Sequence, residues 1–132
     1  CNLNVSIYEY RFRRTDPAKN VHHHLVAKGQ SVYSAGAIFF FHDGVYQGLA
    51  GQVAPQEHFD TDLLKRWQQL ALQGIELAIC IASGIKRGVI NETEQSRYEL
   101  AHPSLAHGFE LVGLGQLIAA INAADRYVEF PA

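Results

Sequence analysis

Residues 60–82, DTDLLKRWQQLALQGIELAICIA, change their hydrophobic period once, at Gly74. Before that glycine, Leu63, Leu64, Trp67, Leu70 and Ala71 fall at i, i+1, i+4, i+7 and i+8. This is the spacing of one helix face, and Gly74 closes it. After it, Ile75, Leu77, Ile79 and Ile81 alternate with Glu76, Ala78, Cys80 and Ala82, so Ile75 to Ala82 is expected to be a strand with two different faces. An amphipathic helix running straight into a strand is the building unit of an α/β protein.

The same alternation of elements continues on both sides. Upstream, Val5 to Tyr10 has the β-branched and aromatic content of a strand. Thr15-Asp16-Pro17 is a helix start, with an oxygen-bearing cap before proline, and Gly29 is a stop, leaving Val21, Leu25 and Val26 inward. Ala35 to Phe41 is apolar except for its glycine, as a strand covered on both faces should be. His42-Asp43-Gly44 ends it, and Gly44 to His58 lacks any period, which predicts a long loop. Downstream, Asn91 stands three residues before Glu94, a capping-box variant opening a short polar helix toward Leu100. Phe109 to Val112 reads as a strand, Leu114, Leu117, Ile118 and Ile121 repeat at helical spacing through Asp125, and Tyr127 to Phe130 is a last strand. Five strands alternating with helices predict a mostly parallel sheet with helices on both faces, joined by right-handed crossovers.

The 132 residues are 48% hydrophobic and 18% charged with 4 Pro, the composition of a packed globular chain expected to form one domain over residues 1–132. Lys+Arg 11 against Asp+Glu 13 gives a net charge of −2, which supplies no positive field for direct nucleic-acid binding. The longest apolar runs fall well short of the roughly 20 residues of a membrane span. Two cysteines, Cys1 and Cys80, do not make a disulfide framework, and a reducing cytoplasm is the expected compartment.

Ligands and reactive groups of parallel sheets gather at the carboxyl ends of the strands, and the third strand delivers Cys80 there. Ala82-Ser83-Gly84 leaves room around the sulfur, and Lys86 and Arg87 bring positive charge that would favour the thiolate. Cys80 therefore reads either as a nucleophile or as a small apolar side chain in a central strand. Cys1 reads as a terminal residue without a role. His42 and Asp43 either orient a group in the strand-end cleft or simply form the turn. His22-His23-His24 point in three directions about 100° apart on a helix, so they read as a solvated surface and not as a metal site. Gly113-Leu114-Gly115 lacks the third glycine of a dinucleotide fingerprint, where Ile118 stands.

Taken together and in order, Phe39-Phe40-Phe41-His42-Asp43-Gly44-Val45-Tyr46, Arg66-Trp67-Gln68-Gln69-Leu70, Ile79-Cys80-Ile81-Ala82 with Arg87-Gly88-Val89, Gly108-Phe109-Glu110-Leu111, Gly113-Leu114-Gly115-Gln116-Leu117 and Ala124-Asp125-Arg126 resemble the DsrE/TusD family of sulfur-relay proteins. The likeness runs from Phe39 to Phe130. Upstream, the family has a small-residue loop and an alanine-rich helix where this chain has Arg11 to Arg14 and the histidines. The resemblance implies a three-layer α/β/α sandwich of DsrE-like, Rossmann-like type, with Cys80 at the position of the persulfide-carrying cysteine.

It also implies a sulfurtransferase subunit without metal or organic cofactor, in a cytoplasmic heterohexamer with related small subunits of TusB/TusC-like or DsrF/DsrH-like type. Sulfur would come from an upstream persulfide carrier and pass to a TusE/DsrC-like acceptor, toward 2-thiouridine at the tRNA wobble position in the TusD branch or in sulfur oxidation in the DsrE branch. The TusD branch is the expectation, with no direct contact to nucleic acid or membrane. Lys86 and Arg87 would keep the sulfur anionic, His42 would shield or orient it, and the segments Gly44 to His58 and around Arg87 would form the docking surface. Two rivals are a non-catalytic scaffold subunit with a buried cysteine, and a small-ligand or nucleotide binder using the same cleft.

Overall fold

The computed structural model describes residues 5–11, 33–53 and 62–130. Strands β1 (Val5–Arg11) and β2 (Tyr33–Phe40) are followed by a 3-10 helix (His42–Gly48), α1 (Leu63–Leu72), β3 (Glu76–Cys80), α2 (Ile81–Arg87) and α3 (Glu92–Arg97). β4 (Phe109–Val112), α4 (Leu114–Ala123) and β5 (Arg126–Phe130) complete the chain. The helix expected between Thr15 and Gly29, the histidine run and Cys1 lie outside the described residues.

The five strands form one sheet in the order β4-β3-β2-β1-β5. β2, β3 and β4 are parallel neighbours, while β1 is antiparallel to both β2 and β5. Four strands thus share one direction and β1 alone is reversed, which makes the sheet mostly parallel, as expected. The β1–β2 pair is the exception to the expected right-handed crossovers, because antiparallel neighbours are not a crossover unit. Hydrophobic period reveals the type of an element and leaves its direction open.

Helices cover both faces, giving three layers. On one face Ile38, Phe40, Leu77, Ile79 and Phe109 form a core with Val45, Val89 and Ala106, against which Leu64, Trp67, Leu70 and Ala71 of α1 pack. The helix face read at Leu64, Trp67, Leu70 and Ala71 is thus the packed one, whereas Leu63 is exposed. Phe40 meets Trp67 edge-to-face at 5.1 Å between ring centres and Phe109 at 5.6 Å. The Trp67 indole N–H donates to Gln47 Oε1 at 3.1 Å, so its burial leaves no polar group unmatched. On the other face Ala37, Phe39, Ala78 and Val112 form a thinner layer, with Phe41, Cys80, Leu117, Ala120 and Ala124 packed against it.

Several boundaries differ from the sequence reading. β2 ends at Phe40 and β3 at Cys80, because Ile81 already belongs to α2. The expected loop from Gly44 starts inside the 3-10 helix, whose Gly44, Val45 and Gly48 are buried. A methyl group on Gly48 would overlap the Ile79 side chain, so glycine lets this backbone lie directly on the sheet. Those three residues are core, whereas Tyr46 and the residues from Ala50 to Val53 are exposed. α3 stops at Arg97, short of Leu100, and its Asn91 cap accepts the Glu94 N–H at 2.9 Å as the capping pattern requires.

Candidate functional site

Three parallel strands point their carboxyl ends the same way, bringing together the chain after Phe40, Cys80 and the Val112-Gly113 step, with Cys80 in register with Val112. Cys80 has the parity of Ala78 in β3, so its side chain belongs to the thin face. It also caps the amino end of α2, and its sulfur makes no capping hydrogen bond. α2 stays close to the sheet because Gly84 is buried: a Cβ there would stand 2.7 Å from the Val89 carbonyl oxygen. The helix ends on Gly88 at φ 76°, and the Val89 N–H closes the turn on the Gly84 carbonyl at 2.8 Å.

The thiol is half-buried and free. It lines a pocket of about 440 Å³ together with Phe39, Phe41, His42, Ser83 and the apolar side chains of α4, closed at the far side by Tyr127 and Glu129 of β5. The pocket lies where α4 runs from β4 at one edge of the sheet to β5 at the other, over the thin layer in which Ala37 and Ala78 stand beside Phe39 and Val112. Leu117 and Ala120 touch that layer, while Leu114, Ile118 and Ile121 stay about half or more exposed. A larger hollow of about 560 Å³ lies at the opposite ends of β3 and β4, beside Glu76, Glu110 and His107. It holds no cysteine, so thiol chemistry points to the smaller pocket.

His42 stands on the pocket rim with its imidazole exposed, beside Phe41 at 5.5 Å between ring centres. Its backbone has φ 45°, the left-handed region that costs a residue with a Cβ roughly 1–2 kcal/mol. Its N–H donates to Ser83 Oγ at 3.1 Å. The expected cations are placed differently from Cys80's other neighbours: neither Lys86 nor Arg87 lines the pocket. Arg87 Nε donates to Asp43 Oδ1 at 2.9 Å and Nη1 donates to the Ser83 carbonyl at 3.3 Å, while Lys86 is exposed in the last turn of α2. Both charges suit the carboxyl end of that helix, and Arg87's is opposed by a carboxylate.

Of the four residues singled out in the sequence, the structure therefore joins Cys80 and His42 and sets Lys86 and Arg87 apart. Sequence reasoning did not find the α4 and β5 wall. Leu114, Leu117 and Ile121 carried the signal through their spacing, and what it lacked was the strand order that brings β5 to this face. Among the described residues no set of three His, Cys, Asp or Glu side chains is arranged to hold a metal ion, and no helix is long and apolar enough to cross a membrane.

The sequence model of the DsrE/DsrF-like family matches residues 22–130, a span that includes every residue of this pocket. The chain belongs to the DsrE/DsrF-like family, and membership connects it with sulfur relay.

Proposed function

We propose that this chain is a sulfurtransferase subunit that accepts a persulfide sulfur on Cys80 and hands it on. The observation carrying this reading is a half-buried free thiol at the carboxyl end of a parallel strand, opening into a pocket of about 440 Å³, in a member of this family. The Cys80 thiolate attacks the outer sulfur of a donor persulfide, whose S–S bond breaks as the new one forms on Cys80. The donor leaves as its own thiolate. A second thiolate then attacks the outer sulfur on Cys80 and takes it, so each transfer is balanced without an external oxidant.

The relay most consistent with the resemblance runs toward 2-thiouridine at the tRNA wobble position, in the cytoplasm. An upstream persulfide carrier is the donor and a TusE-like protein the acceptor, within a hetero-oligomer of related small subunits. The net charge of −2 fits a chain that passes sulfur to proteins and leaves the RNA to a later enzyme.

The test follows isotopically labelled sulfur from a persulfide-loaded carrier onto the chain, then onto an added acceptor thiol. One label per chain, discharged by the acceptor and lost in Cys80→Ser, is the expected result. A chain that takes no label yet assembles with related subunits is a scaffold, and a chain whose melting shifts with a small ligand independently of Cys80 is a binder. Either outcome refutes the proposal.

A further inference from the structure

Two tethers join the start of the 3-10 helix to α2, across more than forty residues of sequence. The His42 N–H donates to Ser83 Oγ, and Arg87 bridges Asp43 and the Ser83 carbonyl. They bracket the one pocket-lining residue whose backbone is left-handed without being glycine. A turn of this type, left alone, relaxes to negative φ and swings its side chain away. Anchored on both sides, His42 keeps its ring on the rim of the pocket into which Cys80 opens.

We infer that Ser83 and the Asp43–Arg87 pair are positioning residues, which hold the His42 imidazole where it carries the proton of the thiol exchange. The inference rests on the sulfur-transfer reading above. In that step Cys80 gives up its thiol proton to His42, the thiolate forms a bond to the donor's outer sulfur, and the donor departs with the electron pair of the broken S–S bond. The imidazolium then returns the proton to the departing sulfur. Protons, electrons and sulfur all balance within donor, Cys80 and His42. Imidazole is suited to this exchange because it both accepts and releases a proton near neutral pH. Arg87, which the sequence alone would place beside the sulfur, acts instead through Asp43 on the turn.

The experiment measures the rate of Cys80 alkylation by iodoacetamide against pH in the full chain, alongside thermal melting. Variants are Ser83→Ala, Ser83→Thr, Asp43→Asn, His42→Ala and the double variant His42→Ala/Ser83→Ala. Ser83→Ala should slow the reaction about tenfold near neutral pH, less than the ~100-fold or more that removal of a positioned acid–base group costs. Ser83→Thr, which keeps the hydroxyl, should restore the rate, and the double variant should be no slower than His42→Ala alone.

Asp43 is exposed, so Asp43→Asn tests the second tether even where Ser83→Ala fails to fold, and it should slow alkylation in the same pH range. A wild-type rate and pH profile in Asp43→Asn and in folded Ser83→Ala overturns the inference and leaves the tethers purely structural. If alkylation responds as described while the chain accepts no sulfur from a donor, the positioning stands and the transfer reading fails.

Discussion

The two faces of the sheet differ in what they ask of their residues. The face under α1 takes Ile38, Phe40, Leu77, Ile79 and Phe109 from the strands, all apolar, and seals them with Trp67 and the 3-10 helix. The face under α4 takes Ala37, Phe39, Ala78, Val112 and Cys80, tolerates Glu76 and Glu110, and leaves three large apolar side chains of its helix exposed. One face supplies the cohesion of the fold, which frees the other to be shallow and open. The proposed sulfur transfer needs that second kind of surface, since a donor or acceptor sulfur must reach Cys80 without the fold opening.

The largest expected effect comes from breaking the sealed face. Phe40→Ala removes a fully buried ring that Trp67 and Phe109 both pack on, and should cost about 3–5 kcal/mol in denaturant unfolding. Gly48→Ala forces a methyl group against Ile79 and should cost about 1–3 kcal/mol by the same measurement. A loss at Gly48 no larger than that of an exposed glycine would mean the 3-10 helix is not seated as described.

The open face gives smaller effects, one of them dependent on pH. Glu76 binds its proton above the usual carboxylate range, first through a hydrogen bond shared with Glu110, then through partial burial and the neighbouring negative charge. The folded chain holds this proton more tightly than the unfolded chain. Its stabilising contribution is therefore full below the unfolded carboxylate's value and is lost as pH rises through the folded one. Glu76→Gln should accordingly be more stable than wild type at neutral pH, with the difference vanishing in mildly acidic solution. Both carboxylates are exposed and screened, so the gain should stay below about 1 kcal/mol. Smallest of all, Ile121→Ala should alter stability by within about 0.5 kcal/mol, because that side chain is 48% exposed. A cost at Ile121 approaching that at Phe40 would erase the contrast between the faces.

Much of this contrast was legible in the sequence. The alternation Leu77 and Ile79 against Ala78 and Cys80 assigns the large residues to one face and the thiol to the other, because side chains in a strand point alternately. The helix at Leu64, Trp67 and Leu70 and the strand at Phe109 were equally plain from their periods. The reversal of β1 was not, since antiparallel and parallel strands share a period of two. Nor was the 3-10 helix after Phe41, whose seat depends on the missing Cβ atom of Gly48 and so looks like loop composition. For the site, Cys80 and His42 could be picked out individually, whereas the Asp43–Arg87 pair joins positions 44 residues apart and becomes visible only once β2 and β3 lie side by side.

The most direct test of the account is the intact mass of the folded chain after exposure to a persulfide donor, with the modified peptide mapped. The account predicts a single added sulfur on Cys80, removable by a free thiol. An unmodified chain, or a sulfur found only on Cys1, would contradict it.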